Sequence, residues 1–219
     1  LFFGRQLPAS IVAVSSISTL AGVAQARVVP QVETVEITLK DLPPEFDGYT
    51  MSQISDLHVG PTIGASFVEE VVARTNQAGA DAILLTGDMV DGYVHQLEAV
   101  HGLLGKLKAK DGVFFITGNH EYFWNAQEWL SAYPRLGIQP LLNEHRVISR
   151  GSAQIVLGGI PDLAAPRFIA AHTADLAATF AGAPAGATRI LLAHQPSRIT
   201  LNQAVENGVA LQLSGHTHA

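Results

Sequence analysis

Five short motifs concentrate the chemistry-bearing side chains of this 219-residue chain. They are Asp56-Leu57-His58, Gly87-Asp88, Gly118-Asn119-His120-Glu121, the lone His194, and Gly215-His216-Thr217-His218. Carboxylate, amide and imidazole groups without any thiolate suit hard-to-borderline divalent metals. Asp56, His58, Asp88, Asn119, His194, His216 and His218 are the candidate ligands, too many for one ion. A shared carboxylate lets them hold two, and two neighbouring metals point to phosphoryl chemistry. Asp56 and His58 lie two apart at the end of an extended segment, and on a regular strand that spacing turns both side chains to one face. His216 and His218 repeat the arrangement after a glycine. Gly87 permits a sharp exit from the apolar run before it and so exposes Asp88. Singly, each motif has a plainer reading: a strand-end turn for Asp-x-His, a cap or turn for Asp88 and Asn119, a polar strand end for His194. The combination is far more specific than any part.

Positioning these groups falls to a regular alternation of strands and helices. Tyr49 to Ser55 reads as a strand ending at Asp56, Ala82 to Thr86 as one ending at Asp88, and Val113 to Thr117 as one ending at Asn119. Between them, helical spacing of apolar residues predicts helices over Gly64 to Ala78 and around Leu97 to Leu107. A third helix is expected over Ala126 to Tyr133, stopped near Pro134. Strands follow at Pro140 to Leu142, Arg146 to Ser149 and Ala153 to Leu157, then a helix at Thr173 to Phe180 and a Gly/Ala/Pro linker at Ala181 to Ala187. Arg189 to Ala193 and Val209 to Ser214 read as strands ending at His194 and at Gly215-His216. Strands joined by helical crossovers imply a largely parallel sheet in an α/β fold. Ligands in such sheets gather beyond the carboxyl ends of the strands, where all five motifs lie.

The bulk properties narrow the class. An apolar fraction of 47% with 15% charged residues supports a substantial core rather than disorder. A net charge of -6 argues against broad nucleic-acid binding, although bound metals would still favour a phosphate locally. The absence of cysteine excludes disulfides and thiol catalysis. Ile11 to Ala26 is an apolar run diluted by Ser15, Ser16, Ser18 and Thr19, followed by Arg27. Residues 1–27 therefore read as a membrane anchor or export signal, with a buried helix as the alternative. Residues 28–48 read as a linker and lead-in strand, in which Val32, Val35 and Ile37 alternate with polar residues. Residues 49–219 form the remaining domain, expected to be incomplete at its C-terminus. His95, His101, His145 and His172 are expected to be solvent-exposed or capping. Trp124, Trp129, Phe114 and Phe115 are expected to pack in the core rather than stack bases.

Asp-x-His, Gly-Asp, Gly-Asn-His-Glu, His and Gly-His-x-His in this order resemble the calcineurin-like metallophosphoesterase superfamily. Ser55-Asp56-Leu57-His58-Val59-Gly60-Pro61 and Leu213-Ser214-Gly215-His216-Thr217-His218 are most similar to its bacterial membrane-associated branch. The match runs from about Tyr49 to the C-terminus. The resemblance implies an α/β calcineurin-like metallophosphoesterase sandwich, with central β-sheets flanked by helices and truncated at the C-terminus. It implies one metal held by Asp56, His58, Asp88 and His218, and a second held by Asp88, Asn119, His194 and His216, with Asp88 bridging. The catalytic histidine corresponds to His120. Asp91 stands where a carboxylate orients that histidine, a turn residue being the alternative; Glu121 is supporting.

Two divalent ions with Asp56, Asp88 and a bridging hydroxide leave about one net positive charge for a phosphate oxygen. Metals lower the pKa of bound water from about 15.7 to ~7, and in-line attack of that hydroxide on phosphorus is the expected chemistry. Mn, Fe, Zn or Co fit the ligand set, with Mn favoured. Gly92 stands where protein phosphatases carry arginine, and Asp91 where purple acid phosphatases carry a tyrosine ligand. Neither of those classes fits. The expected substrate is a phosphodiester, phosphomonoester or pyrophosphate, with a lipid-linked phosphate suggested by the branch. Membrane association through the N-terminus is expected, on a side the sequence does not fix, and no protein partner is predicted. A non-catalytic scaffold of the same fold and a metal-dependent nuclease are the competing readings.

Overall fold

The runs Ala82–Leu85 and Val113–Phe115 are too short for helices and apolar at every position, the pattern of strands covered on both faces. The computed structural model describes residues 3–26 and 28–218, without the side chains of residues 3–8 and 26. Two units are separable, residues 1–31 and residues 32–219. In the second, strands β1 (Met51–Ile54), β2 (Ala82–Leu85), β3 (Val113–Phe115) and β4 (Ile138–Pro140) form one parallel sheet in that order. Strands β5 (Glu144–Arg150), β6 (Ala153–Gly159), β7 (Thr188–Leu192) and β8 (Val209–Leu213) form the other. There β5 and β6 are antiparallel and the rest parallel.

Two-residue periodicity explains how the layers stack. Ala82, Leu84, Phe114 and Ile116 from the first sheet meet Ile155, Leu157, Ile190 and Leu192 from the second in one buried cluster. The alternate residues Ile83, Leu85, Val113 and Phe115 face outward onto α2 (Ala65–Ala78), through Val68 and Val72, and onto Trp129 and Tyr133. Val156, Leu191 and Ala193 on the far side of the second sheet pack with Leu176, Phe180 and Ala204. The result is helix, sheet, sheet, helix, with the inter-sheet layer as the largest apolar contact between halves.

Helix ends follow local chemistry. α2 stops at Gly79, whose φ of 66° closes the helix in the left-handed conformation that favours glycine. α3 (Val94–His101) is shorter than its periodicity suggests, because Gly102 begins a tighter 3-10 turn through Lys106. α5 (Ala126–Ala132) likewise passes into a 3-10 turn that holds Pro134 near its start. Between them lies α4 (Asn119–Phe123), one of two helices the apolar periodicity does not reveal. The helix expected over Thr173 to Phe180 shrinks to α6 (Leu176–Thr179), capped by the Asp175 carboxylate accepting from Ala178 N–H at 2.9 Å. The other helix not foreseen is α7 (Arg198–Glu206), started by the Ser197 hydroxyl accepting from Thr200 N–H at 3.0 Å.

Two expectations are corrected, those for residues 32–38 and for His101. Residues 32–38 form no strand: they pair with no neighbouring strand, and Val35 is 75% exposed. Alternation alone cannot replace a hydrogen-bonding partner. In the first unit α1 (Phe3–Ala26) is a single helix with exposed side chains from Ala9 to Gln25. Among the described residues, however, no helix is long and apolar enough to cross a membrane. His101, expected at the surface, is buried at 3% exposure between the rings of Trp129 and Tyr133, 4.6 and 4.7 Å away.

Burial pushes the His101 imidazole down from 6.5 to about 4. The unfolded chain therefore binds a proton at this position below about 6.5, while the folded chain does so only below about 4. Stability from the neutral ring is complete above 6.5 and is lost as pH falls through that window, by up to roughly 3 kcal/mol. Urea denaturation of the wild type and of His101→Phe between pH 7 and 4 tests this. The variant should lose stability less steeply with falling pH; parallel curves would refute a buried neutral His101.

Candidate metal centre

All five motifs emerge at the carboxyl ends of β1, β2, β3, β7 and β8. The loops after β1 and β2 stay paired beyond the sheet: Asp56 N–H donates to Gly87 C=O at 3.0 Å and His58 N–H to Asp88 C=O at 3.0 Å. The loops after β7 and β8 are joined by Gly215 N–H donating to His194 C=O at 2.9 Å. The Asp56 carboxylate accepts His216 N–H at 2.9 and 3.1 Å, which ties the two sheets together at their open ends. Gln53 adds a second tie, donating to Thr86 Oγ1 and Ser214 C=O.

Strand geometry is not what aims the paired motifs. β1 ends at Ile54 and β8 at Leu213, before the motifs begin. Asp56, His58, Asp88, His216 and His218 instead have φ between 47° and 72°. They are five of the seven non-glycine residues with positive φ among the described residues. Such backbone is uncommon outside glycine and concentrates where surrounding contacts enforce it. Gly87, at φ 93°, starts the second of these loops, and a Cβ there would lie 2.7 Å from His194 Nδ1.

The side chains converge on one another. His194, 1% exposed, has Nδ1 at 2.8 Å from Thr86 C=O, so this nitrogen carries the proton. Its Nε2 faces Asp88 Oδ2 at 3.2 Å, where a proton or a cation must bridge the two atoms. Burial opposes the charge on this ring, but Asp88 outweighs it and raises the imidazole to about 9. Burial likewise works against the Asp88 charge, yet His194 and His120 hold the carboxyl below its usual range. His58 repeats the pattern: Nδ1 lies 3.2 Å from Asp91 Oδ1, while Nε2 faces His218 Nε2 at 3.3 Å and Asp88 Oδ2 at 4.0 Å. His218 Nε2 is 3.4 Å from Asp56 Oδ1. Asn119 Oδ1 is buried without a partner.

Lone pairs facing one another at these distances repel unless a proton or cation lies between them. The donor set and the orphaned atoms therefore fit divalent metals. Among the described residues three groups could hold an ion: Asp56 with His58 and His218, Asp88 with His194 and His216, and His58 with Asp88 and His120. Asp88 is common to two of them. His120 has Nδ1 hydrogen-bonded to Asp91 and Nε2 at 3.9 Å from Asp88 Oδ2.

Glu121 is the clamp beneath this arrangement. It is fully buried and accepts three backbone N–H groups: Asp88 at 3.0 Å, Met89 at 2.8 Å and Gly118 at 2.6 Å. Burial, then the charge of Asp88, pushes its carboxyl up to about 7 against those hydrogen bonds. Gly118 must lack a side chain, since its Cβ would collide with Asp88. Sequence reasoning missed Asp162 and Gln195. Asp162 is 1% exposed and accepts from Gln195 Nε2 at 3.0 and 3.1 Å, which fixes the residue after His194. Its position just past β6 was the available signal, because the other motifs follow strand ends in the same way.

Residues 50–219 match the model of the calcineurin-like phosphoesterases. The chain belongs to that family. Among the relatives of this chain is a transmembrane protein with metallophosphoesterase domain from Danio rerio, 32% identical over 94% of this chain and 48% of its own length. The protein of that name from Bos taurus is 33% identical over 97% and 50%. The metallophosphoesterase YkuE of Bacillus subtilis is 30% identical over 85% and 65%. The chain thus spans about half the length of the first two. Among solved structures, NAD nucleotidase of Haemophilus influenzae shares the fold at TM-score 0.50 and 16% identity, over 77% of this chain and 38% of that one. Family membership and the His/Asp groups together support a metal-dependent phosphohydrolase.

If Glu121 holds the loops as described, Glu121→Gln sets an amide N–H₂ against backbone donors and leaves one of them without its acceptor. Unfolding free energy should fall by about 1–3 kcal/mol, against under ~0.5 for the exposed Glu98→Gln control. Equal denaturation midpoints for the two variants would rule the clamp out.

Proposed function

We propose that this chain is a phosphoesterase that works with two divalent ions, Mn foremost, on phosphodiester, phosphomonoester or pyrophosphate bonds. The observation that carries the reading is the convergence of imidazole nitrogens and carboxylate oxygens around Asp88 Oδ2. One ion would be held by Asp56, His58, Asp88 and His218, and the other by Asp88, Asn119, His194 and His216. When bound, the ions would supply a water activated near neutral pH and a positive field for phosphate oxygens.

The chain's own residues do the rest. Asp91 holds His120 by Nδ1, which turns Nε2 toward Asp88 and the space where the ester would lie. From there His120 donates a proton to the leaving oxygen or steadies its charge. Asp91 also contacts His58, so one carboxylate orients a ligand and the acid together. Thr86 C=O fixes the ring of His194, and Glu121 fixes the two loops that carry Asp88 and Asn119. Relatives named as transmembrane proteins support a membrane-proximal setting, and a lipid-linked phosphate is the substrate we propose to go with it.

The test is hydrolysis of bis-p-nitrophenyl phosphate and p-nitrophenyl phosphate by chain stripped with chelator and resupplied with Mn, Zn or Mg. Activity should return with metal and vanish in Asp88→Asn. His120→Ala should lower turnover by roughly 10²–10⁴-fold with metal content unchanged. Loss of an ion in that variant would instead make His120 a ligand, in keeping with its place beside His58 and Asp88. Undiminished hydrolysis by Asp88→Asn would sink the reading.

A further inference from the structure

α4 carries two aromatic residues immediately after His120 and Glu121. Tyr122 turns inward at 4% exposure, whereas Phe123 at the helix end is 50% exposed. Phe168, in the segment after β6, is 49% exposed. These are the two exposed phenylalanines among the described residues, and they meet: their centroids are 5.7 Å apart with planes at 63°. Phe123 also lies 5.2 Å from the ring of His120. Phe168 is held from behind by Tyr122 at 6.0 Å, whose hydroxyl in turn hydrogen-bonds His172 Nδ1 at 2.9 Å. The pair therefore forms a supported, water-exposed apolar corner touching the histidine assigned to the leaving oxygen.

We propose that Phe123 and Phe168 form the subsite for the group attached to that leaving oxygen, and that this group carries an apolar flat ring. The inference rests on the phosphoesterase reading above. An acid acting on the leaving oxygen must come within about 2.6–3.2 Å of it, so the next atoms of the leaving group pass close to His120. Phe123 is the ring already there. Two rings at a steep angle offer one face and one edge, and a flat ring seated in that corner meets both in the geometries aromatic pairs prefer. A flexible acyl chain would gain contact area from the same corner but none of that directional fit.

The experiment is calorimetric titration of Mn-loaded chain with phenylphosphonate, methylphosphonate and hexylphosphonate. Wild type should bind phenylphosphonate about 3–10-fold more tightly than methylphosphonate. Phe123→Ala and Phe168→Ala should each erode that preference while leaving methylphosphonate unchanged, and Phe123→Leu should not restore it. Equal affinity for the phenyl and methyl compounds overturns the subsite. Preference for hexylphosphonate, or full rescue by Phe123→Leu, overturns the ring in favour of an acyl chain. Failure of all three to bind would mean that the metal centre does not take phosphate-like oxyanions, and the underlying reading falls with the subsite. Binding of all three that disappears in Asp88→Asn, with no phenyl preference in wild type, would leave the phosphoesterase standing and remove only the subsite.

Discussion

Asp88 Oδ2 and His194 Nε2 face each other 3.2 Å apart inside the protein, and with Thr86 C=O holding the other imidazole nitrogen a proton or a cation must bridge them. Much of the rest of the architecture serves to hold that contact in place. Glu121 gathers the backbone N–H groups of Asp88, Met89 and Gly118, so the loops after β2 and β3 cannot drift apart. Asp162 and Gln195 fix the loop after β7. Asp56 draws His216 from the second sheet toward the first. Each is a carboxylate spent on amide donors rather than on solvent, and together they hold several acceptors closer than they would choose.

The backbone carries a second part of the cost. Five ligand candidates sit at positive φ, each disfavoured by about 1 kcal/mol or more, which sums to several kcal/mol. That is comparable with the whole net stability of an ordinary domain, ~5–15 kcal/mol. The offset lies in the inter-sheet layer, where Leu84, Phe114, Ile116, Leu157, Ile190 and Leu192 are almost completely buried. The central strands β2 and β3, short and apolar on both faces, are the base from which these loops rise. A cation that binds only the folded arrangement adds to the same balance.

The succession of strands and helices, and the motif residues that the fold brings together, were legible in the sequence because both leave strong local marks. β2 reads as Ala82-Ile83-Leu84-Leu85 and stops at a Gly-Asp, and the final Gly-His-x-His has few alternative meanings. What was not legible depended on partners distant in sequence. Val32, Val35 and Ile37 alternate like a strand, but nothing in their own text reveals that no neighbour pairs with them. His101 carries no local sign of burial, since Trp129 and Tyr133 reach it from another helix and its following turn. The two-residue spacing of Asp56 and His58 was right about proximity and wrong about cause. A strand was assumed, where left-handed backbone does the aiming.

The same distinction separates phosphate handling from substrate choice. The residues proposed to meet a phosphate sit in loops whose motifs are short and local. Phe123 and Phe168 belong to none of those motifs and come from segments brought together only by the fold, one at the end of α4 and one after β6. A loop that must hold strained backbone and converging acceptors has little freedom to vary. A helix end and a surface turn beside it have a great deal. Specificity is therefore expected to reside in the parts of the chain least readable from its motifs, next to a centre that is almost fully readable from them.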